Sequence, residues 1–197
     1  MKNGFVITSN MNREEKSFKE FKDKVEGVVA VPSKNSVNSQ SNFYQLLVEE
    51  LKNLKIKDIF AVKEKYKSFL LVENRSSAEP TNILRQCRNK NIEFKNVLRV
   101  VPLDFLSKFD QKLIEDFILK RPFKGSYKIL FEGRLCPEDL KERMFQIIIP
   151  LIHGKVKLVN PDYVIIIQAF KNFIGISVME NDVKNFNFSA VNSSIKT

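Results

Sequence analysis

Lys155–Met179 reads KVKLVNPDYVIIIQAFKNFIGISVM, and this stretch decides the fold. Tyr163–Phe170 and Phe173–Met179 are apolar, β-rich runs separated only by Lys171-Asn172, the spacing of a two-residue hairpin. Pro161 fixes its own φ and pushes Asn160 out of the helical region, so a break precedes the first run. Upstream, Asn96–Pro102 (NVLRVVP) predicts another short strand with Arg99 as its only charge.

Between these strands the pattern predicts a helix from about Asp104 to Leu119, a strand over Gly125–Glu132 and a helix from Pro137 to about Ile149. Pro150 ends that helix or kinks its last turn. Nearer the N-terminus, Gly4–Thr8 predicts a strand, and Asn10 or Asn12 caps a helix running to about Val25. Phe18, Phe21 and Val25 share one face of it. Ser33–Asn42 is a polar loop, and Phe43–Leu54 is an amphipathic helix with Leu47, Leu51 and Leu54 aligned. Lys57–Val62 and Ser68–Val72 predict a strand pair around a Glu64-Lys65-Tyr66-Lys67 turn, and Pro80 opens a helix ending near Asn91. The first half therefore runs β-α-(α)-β-β-α-β, a ferredoxin-like order with one extra helix. The whole is a mixed α/β (α+β) chain.

The bulk properties narrow the chemistry. An apolar content of 43% over 197 residues can bury a core without metals or disulfides. Two cysteines, Cys87 and Cys136, with His153 as the sole histidine, fall short of a zinc ligand set. They suit a reducing compartment. Phe5–Ile7 is too short for a signal-peptide core, and no apolar stretch approaches membrane-spanning length. The expectation is an intracellular protein in the nucleus (or nucleolus), the cytoplasm or both, without membrane contact and monomeric alone. The sequons at Asn74, Asn187 and Asn192 then never meet a glycosylation enzyme.

Charge points to a polyanion. The net charge is +10, with 14 bases against 11 acids in residues 1–80 and 17 against 11 in residues 81–181. Phosphate contacts release counterions and dominate nucleic-acid affinity, so such an excess suits RNA as well as a merely solvated surface.

A catalytic apparatus is not visible. Only six glycines occur, and neither GxGxxG nor GxxxxGK[ST] is present, so no dinucleotide or P-loop cradle and no cofactor is expected. His153, just past the Pro150 helix end, suits a C-terminal dipole contact better than a general base. Cys136, before Pro137, is a turn residue rather than a nucleophile. The basic residues form a better candidate site. Lys120, Arg121, Lys124, Lys128 and Arg134 fall in a window whose only acid is Glu132. Strand alternation puts Lys128 on the face opposite Tyr127 and Ile129, and sets Arg99 against Leu98 and Val100. With Lys171 at the hairpin tip, these seven are the predicted RNA-binding residues; no catalytic or metal-binding residue is predicted. The 17 phenylalanines include no RNP-like octapeptide, so backbone and shape recognition fits better than base stacking.

Six ordered pieces carry a family likeness: Gly4-Phe-Val-Ile-Thr8, Arg99-Val-Val-Pro102, Gly125-Ser-Tyr-Lys-Ile129, Val156-Lys-Leu-Val-Asn-Pro161, Gly175-Ile-Ser-Val178 and Lys184-Asn-Phe-Asn-Phe188. Together they resemble the THUMP-domain proteins, and among them the stand-alone eukaryotic tRNA-acetylation adaptors. Where that family has an Arg-Asn-Asn-like tract, this chain has Glu132-Gly-Arg-Leu135, and Lys157 replaces an acidic residue. The resemblance implies a ferredoxin-like part over residues 1–80, its last helix and strand running on to about 102, then a THUMP domain over 81–181 and a tail over 182–197. It further implies binding of tRNA, with serine and leucine tRNAs as expected cargo. The implied partner is an RNA cytidine acetyltransferase that forms N4-acetylcytidine in the D-arm, the adaptor itself supplying no chemistry. The stretch after Met179 is too short for a catalytic domain, which agrees with that expectation. The alternatives are a piece or small relative of a THUMP-containing tRNA methyltransferase or thiolation enzyme, and a general RNA-binding assembly factor.

Overall fold

The computed structural model describes residues 2–9, 13–29, 60–66, 69–89 and 97–181. The predicted loop Ser33–Asn42, the helix Phe43–Leu54, the Asn10 and Asn12 caps and the segment 182–197 lie outside these residues. In chain order the elements are β1 (Lys2–Ser9), α1 (Glu14–Val29), β2 (Phe60–Tyr66), β3 (Phe69–Asn74), α2 (Pro80–Asn89) and β4 (Val97–Lys108). They continue with α3 (Gln111–Leu119), β5 (Ser126–Arg134), α4 (Leu140–Ile148), a 3-10 turn (Ile149–Leu151), β6 (Lys155–Val156), β7 (Tyr163–Phe170) and β8 (Phe173–Glu180). The fold is mixed α/β, as the sequence predicts. It divides into two compact units, one built on Phe5–Val101 and one on Met1–Gly4 with Pro102–Phe186.

In the first unit the strand order is β2-β3-β1-β4, the ferredoxin-like arrangement. Phe5 meets Phe21 edge-on, with ring centroids 5.1 Å apart. Val25, Ile83, Leu84, Cys87 and Val100 close around them. The buried stripe of α1 is Glu14, Ser17, Phe21 and Val25, while Phe18 stays at its half-buried margin. The predicted turn at Glu64-Lys65-Tyr66 is a strand instead, since Lys65 pairs with Leu70 and Tyr66 with Phe69. Asn74 is buried, its amide donating to Ala78 O at 2.8 Å, so this sequon has no accessible side chain.

In the second unit the order is β4-β8-β7-β5-β6. β7 and β8 pair antiparallel from Tyr163↔Glu180 to Phe170↔Phe173, leaving Lys171-Asn172 as the predicted hairpin loop. Lys171 has φ 52°, the left-handed first position that primed hairpin turns require. β5 pairs parallel with β7 along its length, so the chain must cross over between them, and α4 with the 3-10 turn lies in that crossover. Pro150 sits in the 3-10 turn, ending α4 as expected. Tyr127, Ile165, Ile167, Ala169, Ile174, Ile176 and Phe105 turn one sheet face onto Ile114, Phe117 and Ile118 of α3 and Leu140, Met144 and Ile148 of α4.

The helix predicted from Asp104 begins only at Gln111. Phe105–Lys108 instead pairs with Ile176–Phe173, and Asp110 supplies the helix cap, accepting from Leu113 N at 3.1 Å. Around Pro102, whose nitrogen has no hydrogen to donate, a side chain ties β4 to β8. The buried Ser177 hydroxyl donates to Pro102 O at 2.7 Å and accepts from Asp104 N at 3.0 Å.

Candidate nucleic-acid interface

The basic loop between α3 and β5 is held by its aromatic residue. Phe123 stacks tilted on Tyr163 at 4.7 Å and meets Tyr127 edge-on at 6.0 Å. That anchors the loop at the N-terminal ends of β5 and β7, with Lys120 and Lys124, which precede and follow Phe123 in sequence, both exposed. Arg121 is turned differently. Its guanidinium lies 3.7 Å from the fully buried carboxylate of Asp104 and 4.8 Å from the centroid of Phe117. Its charge serves the interior as well as the surface.

Lys128 is half-buried on β5, on the face opposite the core residue Tyr127. Arg134 and Lys171 lie at the far end of the same strands. Lys171 N donates to Arg134 O at 3.1 Å, and the Lys171 ammonium stands 5.4 Å from the Phe170 ring centroid. Six residues of strand separate Lys128 from Arg134, about 20 Å. The predicted cluster is therefore divided: Lys120, Arg121, Lys124 and Lys128 at one end of β5, Arg134 and Lys171 at the other. Arg99 is half-buried on β4 within the first unit.

The structure adds residues outside the predicted set. Gly125, Ser126, Ile152–Lys157 and Asp162 line an open groove beside Lys124. Its floor depends on two glycines. Gly125 has φ 134°, and a Cβ there would meet Asp162 Oδ2 at 2.7 Å; at Gly154 a Cβ would meet Gly125 O at 2.6 Å. His153, Lys155 and Lys157 are exposed along the rim. Asp162 accepts from the Ser126 N–H and hydroxyl, each at 2.7 Å. These bonds, the backbone one foremost, and then the Lys157 charge hold its carboxyl below the usual aspartate range. Alternating Lys155-Val-Lys157 was the available sequence signal, but nothing in it shows that this run pairs with β5.

Among the described residues, no three His, Cys, Asp or Glu side chains group to hold a metal, and no helix is long and apolar enough to cross a membrane. Cys136 is half-buried against the second-unit core, its sulfur beside Gly133. The arrangement suits binding of anions through fixed cations.

No protein-family model matches the chain, nor does any curated protein. Among solved structures it is similar to PH1313 from Pyrococcus horikoshii, at 13% identity and a TM-score of 0.48, covering 90% of this chain and 55% of that one. It is similar to TrmN from Thermus thermophilus at 13% identity and a TM-score of 0.41, covering 88% and 44%. A 4-thiouridine synthetase–RNA complex with bound ATP gives 11% identity and a TM-score of 0.44, covering 91% and 42%. The chain spans about half the length of these proteins or less. Likeness at this level says nothing about activity.

Proposed function

We propose that the chain binds tRNA without catalysing a reaction and presents it to a separate RNA cytidine acetyltransferase for N4-acetylcytidine formation. The observation that carries the RNA part is the aromatic-anchored loop. Phe123 anchors the loop that carries Lys120 and Lys124, next to Lys128 on β5. Cations held on an ordered scaffold grip phosphates by charge and spacing, which suits recognition of RNA shape. The adaptor role and the acetyltransferase partner rest on the THUMP resemblance of the quoted segments.

The test combines the purified chain, tRNA, acetyl-CoA and ATP with and without the acetyltransferase, followed by nucleoside mass spectrometry. Acetylcytidine should form only with both proteins present and should rise with the amount of this chain. Modification of tRNA by the chain alone, surviving Cys136→Ser and His153→Ala, would overturn the adaptor reading.

A further inference from the structure

Val156, Leu158 and Val159 are 65%, 74% and 74% exposed. Single aliphatic residues on a surface are ordinary, but here three stand exposed within four consecutive positions. The run continues from β6, whose backbone faces β5 at alternate residues. Lys155 N donates to Gly125 O at 3.3 Å and Lys157 N to Tyr127 O at 2.9 Å. The period-two alternation of a strand then turns the N–H and C=O of Val156 to the outer side. Among the described residues β6 ends the strand order, so that outer side carries no further strand.

The charges around it are mostly positive. Lys155 and Lys157 bracket Val156, against Asp162, the one acid lining the adjoining groove, whose carboxylate Ser126 holds. An RNA strand would satisfy the lysines and leave the aliphatic side chains in water. A purely apolar surface would do the reverse. We propose that Lys155–Val159 is a docking edge for an extended segment of a partner protein that alternates acidic and aliphatic residues, adding as a strand outside β6. Main-chain bonds to Val156 would give such a segment its register, and the lysines and aliphatics its selectivity. This edge stands independently of the RNA reading, because Lys120, Lys124 and Lys128 take no part in it.

The test uses the full chain and a fluorescein-labelled peptide of about ten residues alternating Asp or Glu with Leu or Val, the span of a typical added strand. Peptide binding is followed by anisotropy and by the NMR shift of the Val156 amide. The expected result is saturable binding that moves that amide. The triple change Val156→Ser, Leu158→Ser, Val159→Ser and the double change Lys155→Glu, Lys157→Glu should each weaken it by about tenfold or more. A peptide N-methylated on alternate amides should lose binding, while tRNA affinity of the triple variant stays at the parent value. The proposal is overturned by equal binding of polyglutamate or of the Lys-for-acid peptide. It is also overturned by binding that survives the triple change, and by absence of peptide binding, whether or not phosphatidylserine vesicles bind.

Discussion

Ser126 and Asp162 hold each other reciprocally: the Asp162 carboxylate accepts from the Ser126 N–H and hydroxyl at 2.7 Å, while Asp162 N donates to Ser126 O at 3.0 Å. The pair ties the start of β5 to the entry of β7 and sets the groove floor.

These bonds favour the charged carboxylate, so its folded pKa lies below the ordinary 3.8. Its stabilising effect is present above that value and lost as pH falls through the lowered one. A carboxyl-carbon NMR titration should place the Asp162 midpoint below 3.8, and Asp162→Ala should speed amide exchange at Ser126 at neutral pH. A midpoint at or above the ordinary value would contradict the geometry.

Ser177→Ala removes the hydroxyl that serves both Pro102 O and Asp104 N. Leaving those buried groups unpaired should cost about 1–3 kcal/mol. For a chain of this size, each kcal/mol lowers Tm by roughly 2–4 °C. Thermal denaturation at parent Tm would show that water replaces the hydroxyl without cost.

Arg121→Ala and Lys120→Ala make the same charge change with different expected results. The first takes the Arg121 guanidinium away from the buried Asp104 carboxylate and should cost about 1–3 kcal/mol in denaturant unfolding. The second, fully at the surface, should stay within about 0.5 kcal/mol. Adding Asp104→Asn to Arg121→Ala should recover part of the loss.

The RNA reading predicts a linear fall of log affinity with log salt, about −0.7 to −0.9 per neutralised phosphate. Lys124→Ala and Lys128→Ala should each weaken tRNA binding and flatten that slope by about one unit. Lys16→Ala and Lys19→Ala, exposed on α1, should leave both unchanged. Filter binding or anisotropy across a salt series checks this. Equal effects from the α1 pair would reduce the site to net charge.

Lys171→Gly should stabilise the hairpin by up to about 1 kcal/mol, because glycine takes the left-handed conformation without a Cβ penalty. Lys171→Ala, which keeps a Cβ while removing the charge and its contact with the Phe170 ring, should not. Comparing the two by thermal melting separates backbone conformation from loss of the side chain.

The β7–β8 hairpin was legible because two apolar runs flank a loop of the only length that keeps Phe170 opposite Phe173. The helices α3 and α4 were legible by periodicity, but the strand before α3 was not. Pro102, Asp104 and Lys108 look like a strand end, and the Ser177 side chain that ties this strand to β8 lies 75 residues from Pro102. Local patterning cannot carry a correction that distant. The Glu64–Tyr66 extension was missed for a simpler reason, since charged residues on a strand look like a turn. At the candidate site, charge counting located Lys120, Lys124 and Lys128 but treated Arg121 as their equal. Only the buried Asp104 reveals its second task.

The anchoring of Phe123 on Tyr127 and Tyr163 also bears on the entropy of capture. A loop that must freeze around its ligand spends part of the contact energy on ordering itself. Here the backbone that carries Lys120 and Lys124 is already fixed by its own aromatic side chain, so a phosphate arriving there orders little beyond two lysine side chains. Association should therefore be limited by encounter rather than by rearrangement. Loosening the ring with Phe123→Ala should slow or weaken capture without removing a single charge.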